Sequence, residues 1–540
     1  MNKPPVSVVV ITRNEEENIE QCLQSAAWAD EIIVVDDEST DATRDIAKKY
    51  TDKVFLRKME NEGRHRNWAY TQAVNDWVLS LDADERVSEG LAGEISDLLK
   101  SSPKYKAYTI PRRNFIGDHW LRYGGEYPAP QTRLFLKNEF KYEEAEVHPR
   151  AFLEGDCGHL KEDIIHYSHR DIADYIRSLD GQTTLEAKKW HLTGRRMSLG
   201  HAVWRTLDRC FYRRLLRKKS YKDGVYGLVV AVFSGMYQLF SWAKYWEMQT
   251  GGAAKNIPKA GERHAEPVAG KGAEGRSRQE LSAVIITKNA ADKLRNCLES
   301  VKWADEIIIV DGGSTDGTID IAREYTGNII TSEFRGFAGE RNKGAEAAKG
   351  DWVLELDADE IVTDAFRERI MKLLKGGSEG FVSYKFRRKN VFMGKAMRRG
   401  GWFHYSAHLF KKGFAHYEGD IHERLIASGR QGKIEECIEH YPFYTFSEFI
   451  KRQNRYTTLQ ANEMFKENKA VPEKTVQYNL RVKPRKLFRK MYLKKGGILE
   501  GKMGLVFSVL FAWVHFVKWA KYWELQRKSG KVEEILAENK

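Results

Sequence analysis

One ordered series of motifs occurs twice in this chain, and that repetition constrains its fold more than any other feature. The first series runs SVVVITRNEE from Ser7, WADEIIVVDDESTDAT from Trp28, RNWAY from Arg66 and DWVLSLDADE from Asp76. The second runs LSAVIITKNA from Leu281, WADEIIIVDGGSTDGT from Trp303, RNKGA from Arg341 and DWVLELDADE from Asp351. Asp311 follows Asp36 by 275 residues, Asp357 follows Asp82 by 275, and His422 follows His148 by 274. A whole series at constant offset means tandem duplication. Each copy, at roughly 250 residues, is long enough to bury a core of its own.

Each copy alternates short apolar runs with helical patterns. Residues 6–11 and 281–286 are β-branched runs typical of buried parallel strands. A second strand follows at 32–35 and 307–310, with Asp36 and Asp311 at its carboxyl end, and a third lies near Val54 and Ile329. The next helix is expected to begin near Arg66 or Arg341. A strand at 77–81 or 352–356 then leads into Asp82-Ala83-Asp84 or Asp357-Ala358-Asp359. This alternation reads as an α/β layer with a parallel sheet. Ligands of such sheets bind outside the carboxyl ends of the strands, where both acidic motifs fall.

Residues 251–280 are rich in Gly, Ala and charge, which is linker composition. The expected domains are therefore 1–250, with a core to about 170 and a helical tail over 171–250, and 281–540, with a core to about 444 and a tail over 445–530.

Two carboxylates one residue apart at a strand end suit a divalent cation. Strand alternation would send Asp82 and Asp84, or Asp357 and Asp359, to one side. Mg²⁺ or Mn²⁺ prefers oxygen ligands and bridges carboxylates to phosphates. Asp36 and Asp311 are placed to accept from a uracil N–H or a ribose hydroxyl. The Ser-Thr-Asp after each reads as a helix N-cap. Arg66 and Arg341, at the expected helix starts, are placed where they could face phosphate, the alternative being plain surface arginines. No Gly-rich loop carrying Lys or Arg follows the first strand, which disfavours nucleotidyl transfer from a triphosphate. A binding-only scaffold would show erosion of the acidic motifs in one copy, and neither copy shows any.

The net charge of +13 is concentrated in residues 188–222 and 481–502. Each basic run precedes an aromatic, apolar stretch ending in WAKYWEMQ or WAKYWELQ. Charge abutting apolar helix favours an anionic membrane surface over nucleic acid as partner. Residues 225–243 are borderline for a membrane span, whereas 503–517 are shorter and include His515. Lying on the membrane is therefore expected for both, the alternative being a helical hairpin packed on its own domain. The five cysteines show no metal spacing, which places the chain in a reducing compartment. The expected location is peripheral, on the cytoplasmic face of the inner membrane.

TRNEE, WADEIIVVD, RN and DADE, in this order, resemble family 2 glycosyltransferases of the GT-A fold, a Rossmann-like nucleotide-diphospho-sugar transferase fold. They look closest to the branch that adds glucose in β-1,4 linkage to the lipopolysaccharide inner core. The resemblance extends to RLF at 133–135, VH at 147–148, IHE at 421–423, and HY at 166–167 and 440–441. It implies two tandem GT-A domains, each with a C-terminal amphipathic helical extension. It implies metal-dependent, inverting hexose transfer from a nucleotide diphosphate sugar such as UDP-glucose to a lipid-linked glycan. Thr12, Arg13, Thr287 and Lys288 would line the nucleotide pocket; Asp36 and Asp311 would contact the nucleoside, with Asp82 and Asp357 alongside. Asp84 and Asp359 would hold metal and diphosphate.

The base that deprotonates the acceptor is expected in the acidic clusters before VH and IH: Glu144 and Glu418, with Glu146 and Asp420 beside them. The copies differ in the half expected to face the acceptor. Pro149 stands against Glu423, Arg133 against His408, and Glu126 against Trp402. Two active domains with different acceptors follow naturally. The alternative is one active domain beside an acceptor-binding or scaffold module.

Overall fold

A computed structural model describes residues 4–144, 150–251, 278–333, 336–376, 380–419, 423–467 and 471–530. The chain divides into two compact units. One comprises Met1–Tyr245, Gln453–Glu473 and Val517–Lys540, the other Trp246–Arg452 and Lys474–Phe516. Each unit holds the core of one copy. The tails follow a different division, because parts of the second copy's tail belong to the first unit.

In the first unit, strands Val54–Leu56, Glu31–Asp36, Val6–Thr12 and Trp77–Asp82 lie side by side and parallel. Gln131–Leu136 and Ala107–Ile110 extend the sheet antiparallel, and Gly158–His159 closes its edge. The strand Val6–Thr12 carries a continuous apolar run from Val8 to Ile11 because both faces are covered. Val8 and Val10 pack with Ile19, Leu23 and Leu91 on one side. Val9 packs with Ile33, Val35, Ala69 and Tyr70 on the other. Each such side chain, fully buried, stabilises the fold by about 1.5–3 kcal/mol.

The second unit repeats this plan with Ile329–Thr331, Glu306–Asp311, Leu281–Thr287 and Trp352–Asp357. There Phe403–Lys411, Ser383–Phe392 and Gln431–His440 continue one larger sheet.

Register places the acidic motifs. Thr12 pairs with Asp36 and Ile11 with Asp82, so both aspartates flank the carboxyl end of one strand. Thr287 with Asp311, and Ile286 with Asp357, repeat the arrangement. A further strand pairing sets His166 opposite Glu85, and its counterpart sets His440 opposite Glu360. The helix expected near Arg66 begins four residues earlier, as Glu62–Thr71, because the Asn61 side chain accepts from the Arg64 N–H and caps it.

In the tails, Gly224–Thr250 and Gly501–Lys528 are the long apolar helices. Within the first unit, the Glu524 carboxylate accepts from the Ile172 N–H at 3.2 Å, at the start of helix Ile172–Leu192. Trp523 packs edge-on against Tyr226 there, and Asn454 donates to the Ala173 carbonyl at 2.9 Å. Within the second unit, Glu247 accepts from the Phe446 N–H at 3.1 Å. The contacts of Glu524, Trp523 and Asn454 go with Val517–Lys540 and Gln453–Glu473 counting with the first unit, although the repeat assigns them to the second copy.

Candidate functional site

The first aspartate of each acidic triplet is clamped by arginines. In the first copy, Asp82 Oδ1 accepts from Arg66 Nη2 at 3.0 Å and Oδ2 from Arg133 Nη2 at 2.6 Å. Arg133 also donates to Glu85 Oε1 at 2.7 Å. Burial alone would raise the Asp82 pKa. The charges of Arg133 and Arg66 outweigh it and hold the carboxyl well below the usual range.

In the second copy, Arg341 Nη2 donates to Asp357 Oδ1 at 2.7 Å, while Arg388 pairs with Glu360 at 2.6 Å and with Asp357 at 3.6 Å. Burial again opposes these charges, and Asp357 again stays well below its ordinary value. His408 occupies the place of Arg133 and bonds the hydroxyls of Tyr417, at 2.9 Å, and Ser406, at 2.6 Å. Where the first copy has Ser80, the second has Glu355, buried 3.7 Å from Arg341. Burial, partly offset by Arg341, raises the Glu355 pKa to about 8. The second copy thus lacks one buried guanidinium and carries a buried acid whose ionisation is disfavoured.

The second aspartate faces a histidine. Asp82 ends its strand and Ala83-Asp84 form a turn, so strand alternation stops there and the two carboxylates take separate partners. Asp84 Oδ2 lies 3.3 Å from His166 Nε2, and its Oδ1 is buried without a hydrogen-bond partner. His166 Nδ1 is 2.7 Å from Asn114 Oδ1. That contact fixes the ring and turns Nε2 to the aspartate, as the outer partner of a metal-ligating histidine does. In the second copy, His440 is fixed by Asn390 and faces Asp359 Oδ1 at 3.2 Å. Asp359 Oδ2 is 3.4 Å from Arg452 Nη1.

The two histidines are the site residues that motif reading misses. Their signal was the HY phrase, recurring at the offset of the other motifs. Among the described residues no group of three or more His, Cys, Asp or Glu converges to hold a metal. Each copy offers one carboxylate and one imidazole, and a bound diphosphate would have to complete the shell. Beside Asp84 lies a cavity of about 140 Å³ lined by Glu15, Glu17, Asp41, Asp174 and Arg170. Its acidic wall suits a cation.

Asp36 is fully buried; one oxygen accepts from the Ser39 N–H at 2.9 Å and the other has no partner. Asp311 is engaged by its own loop, accepting from the N–H groups of Gly313 and Ser314 at 3.0 and 2.8 Å. Thr12 and Thr287, alongside, are buried with unpartnered hydroxyls. Arg13 pairs with Asp37 at 2.9 Å, and Lys288 is exposed.

Ser39 and Ser314 do not cap helices. Their hydroxyls accept from the N–H groups of Asn14 and Asn289, at 2.8 and 2.7 Å, and tie two loops together. Asp41 and Asp316 instead accept from the Thr43 and Thr318 N–H groups, at the first residues of helices Thr43–Ala47 and Thr318–Arg323.

Glu144 is half-exposed and pairs with Arg64 at 3.1 Å; Glu418 is exposed and lies 2.9 Å from His416. Glu146 and Asp420, with His148 and His422, lie outside the described residues. Glu423 reaches Arg341 Nε at 3.4 Å, a contact that Pro149 cannot supply in the first copy.

The model of the glycosyl transferase family 2 domain matches residues 7–157 and again 282–433. An uncharacterized glycosyltransferase of Rickettsia prowazekii (strain Madrid E) is 25% identical over 47% of this chain and 90% of its own length. The lipopolysaccharide core biosynthesis glycosyltransferase LpsC of Rhizobium meliloti (strain 1021) is 28% identical over 43% of this chain and 90% of its own. Both relatives therefore correspond to about half of the chain. Among solved structures, S. aureus TarS 1–349 aligns over 46% of this chain and 92% of its own, at 17% identity and a TM-score of 0.23.

Proposed function

Since the chain belongs to glycosyl transferase family 2 through two tandem GT-A domains, we propose that it is a bifunctional inverting hexosyltransferase acting on a lipid-linked glycan. The donor is a nucleotide diphosphate sugar, with UDP-glucose the leading candidate. The acceptor class is of the kind named for LpsC, the lipopolysaccharide core. One observation carries the reading. In both copies a nucleoside-side aspartate and a carboxylate–histidine pair flank the carboxyl end of one central strand.

Asp36 presents an unpartnered buried oxygen to a uracil N–H or ribose hydroxyl. Arg66 and Arg133 hold Asp82 ionised and immobile at the base of the site. Asp84 and His166 fit Mg²⁺ or Mn²⁺, because the orphaned Asp84 oxygen is a buried acceptor open to a cation, and Asp359 and His440 hold the matching positions in the second copy. When bound, that ion supplies Lewis-acid neutralisation of the leaving diphosphate. Glu144 or Glu418 takes the proton of the acceptor hydroxyl as its oxygen bonds to the anomeric carbon and the bond to diphosphate breaks on the opposite face.

The enzyme works from an anionic membrane surface, peripherally, on the cytoplasmic face of the inner membrane. In support, Trp204, Leu207, Phe211 and Leu216 are exposed among Arg205, Arg209, Arg213 and Arg217. Helices Ser220–Thr250 and Gly497–Lys528 are long and apolar enough to cross a membrane, yet most of each is buried inside the protein. That burial favours docking through the basic, aromatic stretches.

Calorimetric titration with UDP and Mn²⁺ tests the reading. Two sites per chain support two competent domains, and the absence of UDP binding overturns the donor assignment. The alternative, a single active domain beside an acceptor-binding module, is favoured by the engagement of Asp311 with its own loop. A stoichiometry of one would select it.

A further inference from the structure

The second aspartate of the acidic triplet meets a different environment in each copy. In the first, Asp84 presents one oxygen to His166 and buries the other without a partner. In the second, both oxygens of Asp359 have a neighbour: the His440 imidazole at 3.2 Å and the Arg452 guanidinium at 3.4 Å. Arg452 lies on helix Phe446–Lys466 and is steadied by donating Nη1 to the Pro442 carbonyl at 2.8 Å. Counted from the shared His-Tyr phrase, the first copy has Ser178 at this position, which carries no charge.

We propose that Arg452 supplies, in the second copy, part of the positive charge on the donor diphosphate that the first copy draws from a divalent cation, so the two sites differ in their metal requirement. The proposal rests on the nucleotide-sugar reading above.

The chemistry favours this division. A guanidinium is a permanent cation whose planar fork matches phosphate oxygens. On Asp359 it occupies the oxygen whose counterpart in Asp84 is open. A divalent ion arriving at that carboxylate meets a charge of its own sign a few ångströms away, which weakens its binding. Arg452 is about a third exposed, so it can serve a ligand arriving from solvent.

The test reads UDP binding by calorimetry on the full chain, with Mn²⁺ and then with excess EDTA. Chelation is expected to lower the stoichiometry from two sites to one. Asp36→Asn, which keeps the acceptor for the Ser39 N–H, assigns the surviving site to the second copy. Arg452→Ser is expected to make that site metal-dependent, costing it tenfold to hundredfold in EDTA, about the value of one charge-assisted hydrogen bond. Arg452→Lys, which keeps the charge but not the fork, should retain part of the affinity, and an unchanged thermal unfolding midpoint shows that each variant is folded. Loss of both sites in EDTA from the unsubstituted chain overturns the proposal. So does an Arg452→Ser chain whose EDTA affinity is unchanged. Absence of UDP binding even with Mn²⁺ removes the underlying reading and the proposal together.

Discussion

Arg133 and His408 occupy one position in two copies and handle buried charge in opposite ways. Arg133 neutralises Asp82 and Glu85 together, within hydrogen-bonding distance of both. Arg133→Met would leave Asp82 to Arg66 alone and Glu85 to Arg112, 3.4 Å away. Removing one partner of a buried ion pair costs about 3–5 kcal/mol, so thermal unfolding should show a marked loss in the first unit. His408→Met removes hydrogen bonds to two hydroxyls and should cost less, about 1–3 kcal/mol. The catalytic assignment is tested separately. Glu144→Gln and Glu418→Gln should each lower kcat of their own domain by about 10²–10⁴, with UDP affinity unchanged, since neither carboxylate contacts the nucleotide-side residues. The aspartates were legible in the sequence because each ends an apolar strand at a repeated offset. The partnership of Asp82 with Arg133 was not, because antiparallel pairing of Leu79 with Leu134 brings together residues 51 apart.

Among the elements, the four parallel strands of each copy were legible, while the strands that extend each sheet and the helix ends were not. Strand positions follow from continuous β-branched runs, buried on both faces. The helix expected near Arg66 starts at Glu62 because Asn61 caps it, which places Arg66 in the second turn, where it reaches Asp82. Helix Ile172–Leu192 shows a longer-range version of the same effect, since Glu524, distant in sequence, accepts from its first N–H. Burial raises the Glu524 pKa to about 7 from 4.5, with the Lys528 charge and the Ile172 hydrogen bond opposing and Asp171 adding to the rise. A carboxyl with a raised folded pKa favours folding in its protonated form. Its contribution is therefore full below about pH 4.5 and is lost as pH rises through about 7. Chemical denaturation of the first unit should show this group opposing stability at pH 8 relative to pH 5. Glu524→Gln should shrink that pH difference, and an unchanged difference would show that Glu524 is not the titrating group.

Over the whole chain, the duplication kept the motifs around the central strand and let the later part of each core diverge. The four motifs around the central strand recur almost unchanged, whereas Glu126, paired with Arg214 in the first unit, gives way to Trp402 in the second. Trp402 stacks on Phe507 at 4.6 Å and on Phe443 at 5.9 Å. On the function proposed above, the two copies face different acceptors there, because aromatic rings bury apolar surface while a carboxylate and guanidinium seek hydroxyls. If they serve successive acceptors, the product of one domain is the substrate of the other. Asp84→Asn and Asp359→Asn should then give unequal results in a transfer assay read by product mass. One variant should leave the acceptor unextended, because the first addition fails. The other should stop after a single hexose. Equal half-rates with a product of unchanged length would instead mean that both domains perform one reaction. A variant indistinguishable from the parent would mark its domain as the non-catalytic module.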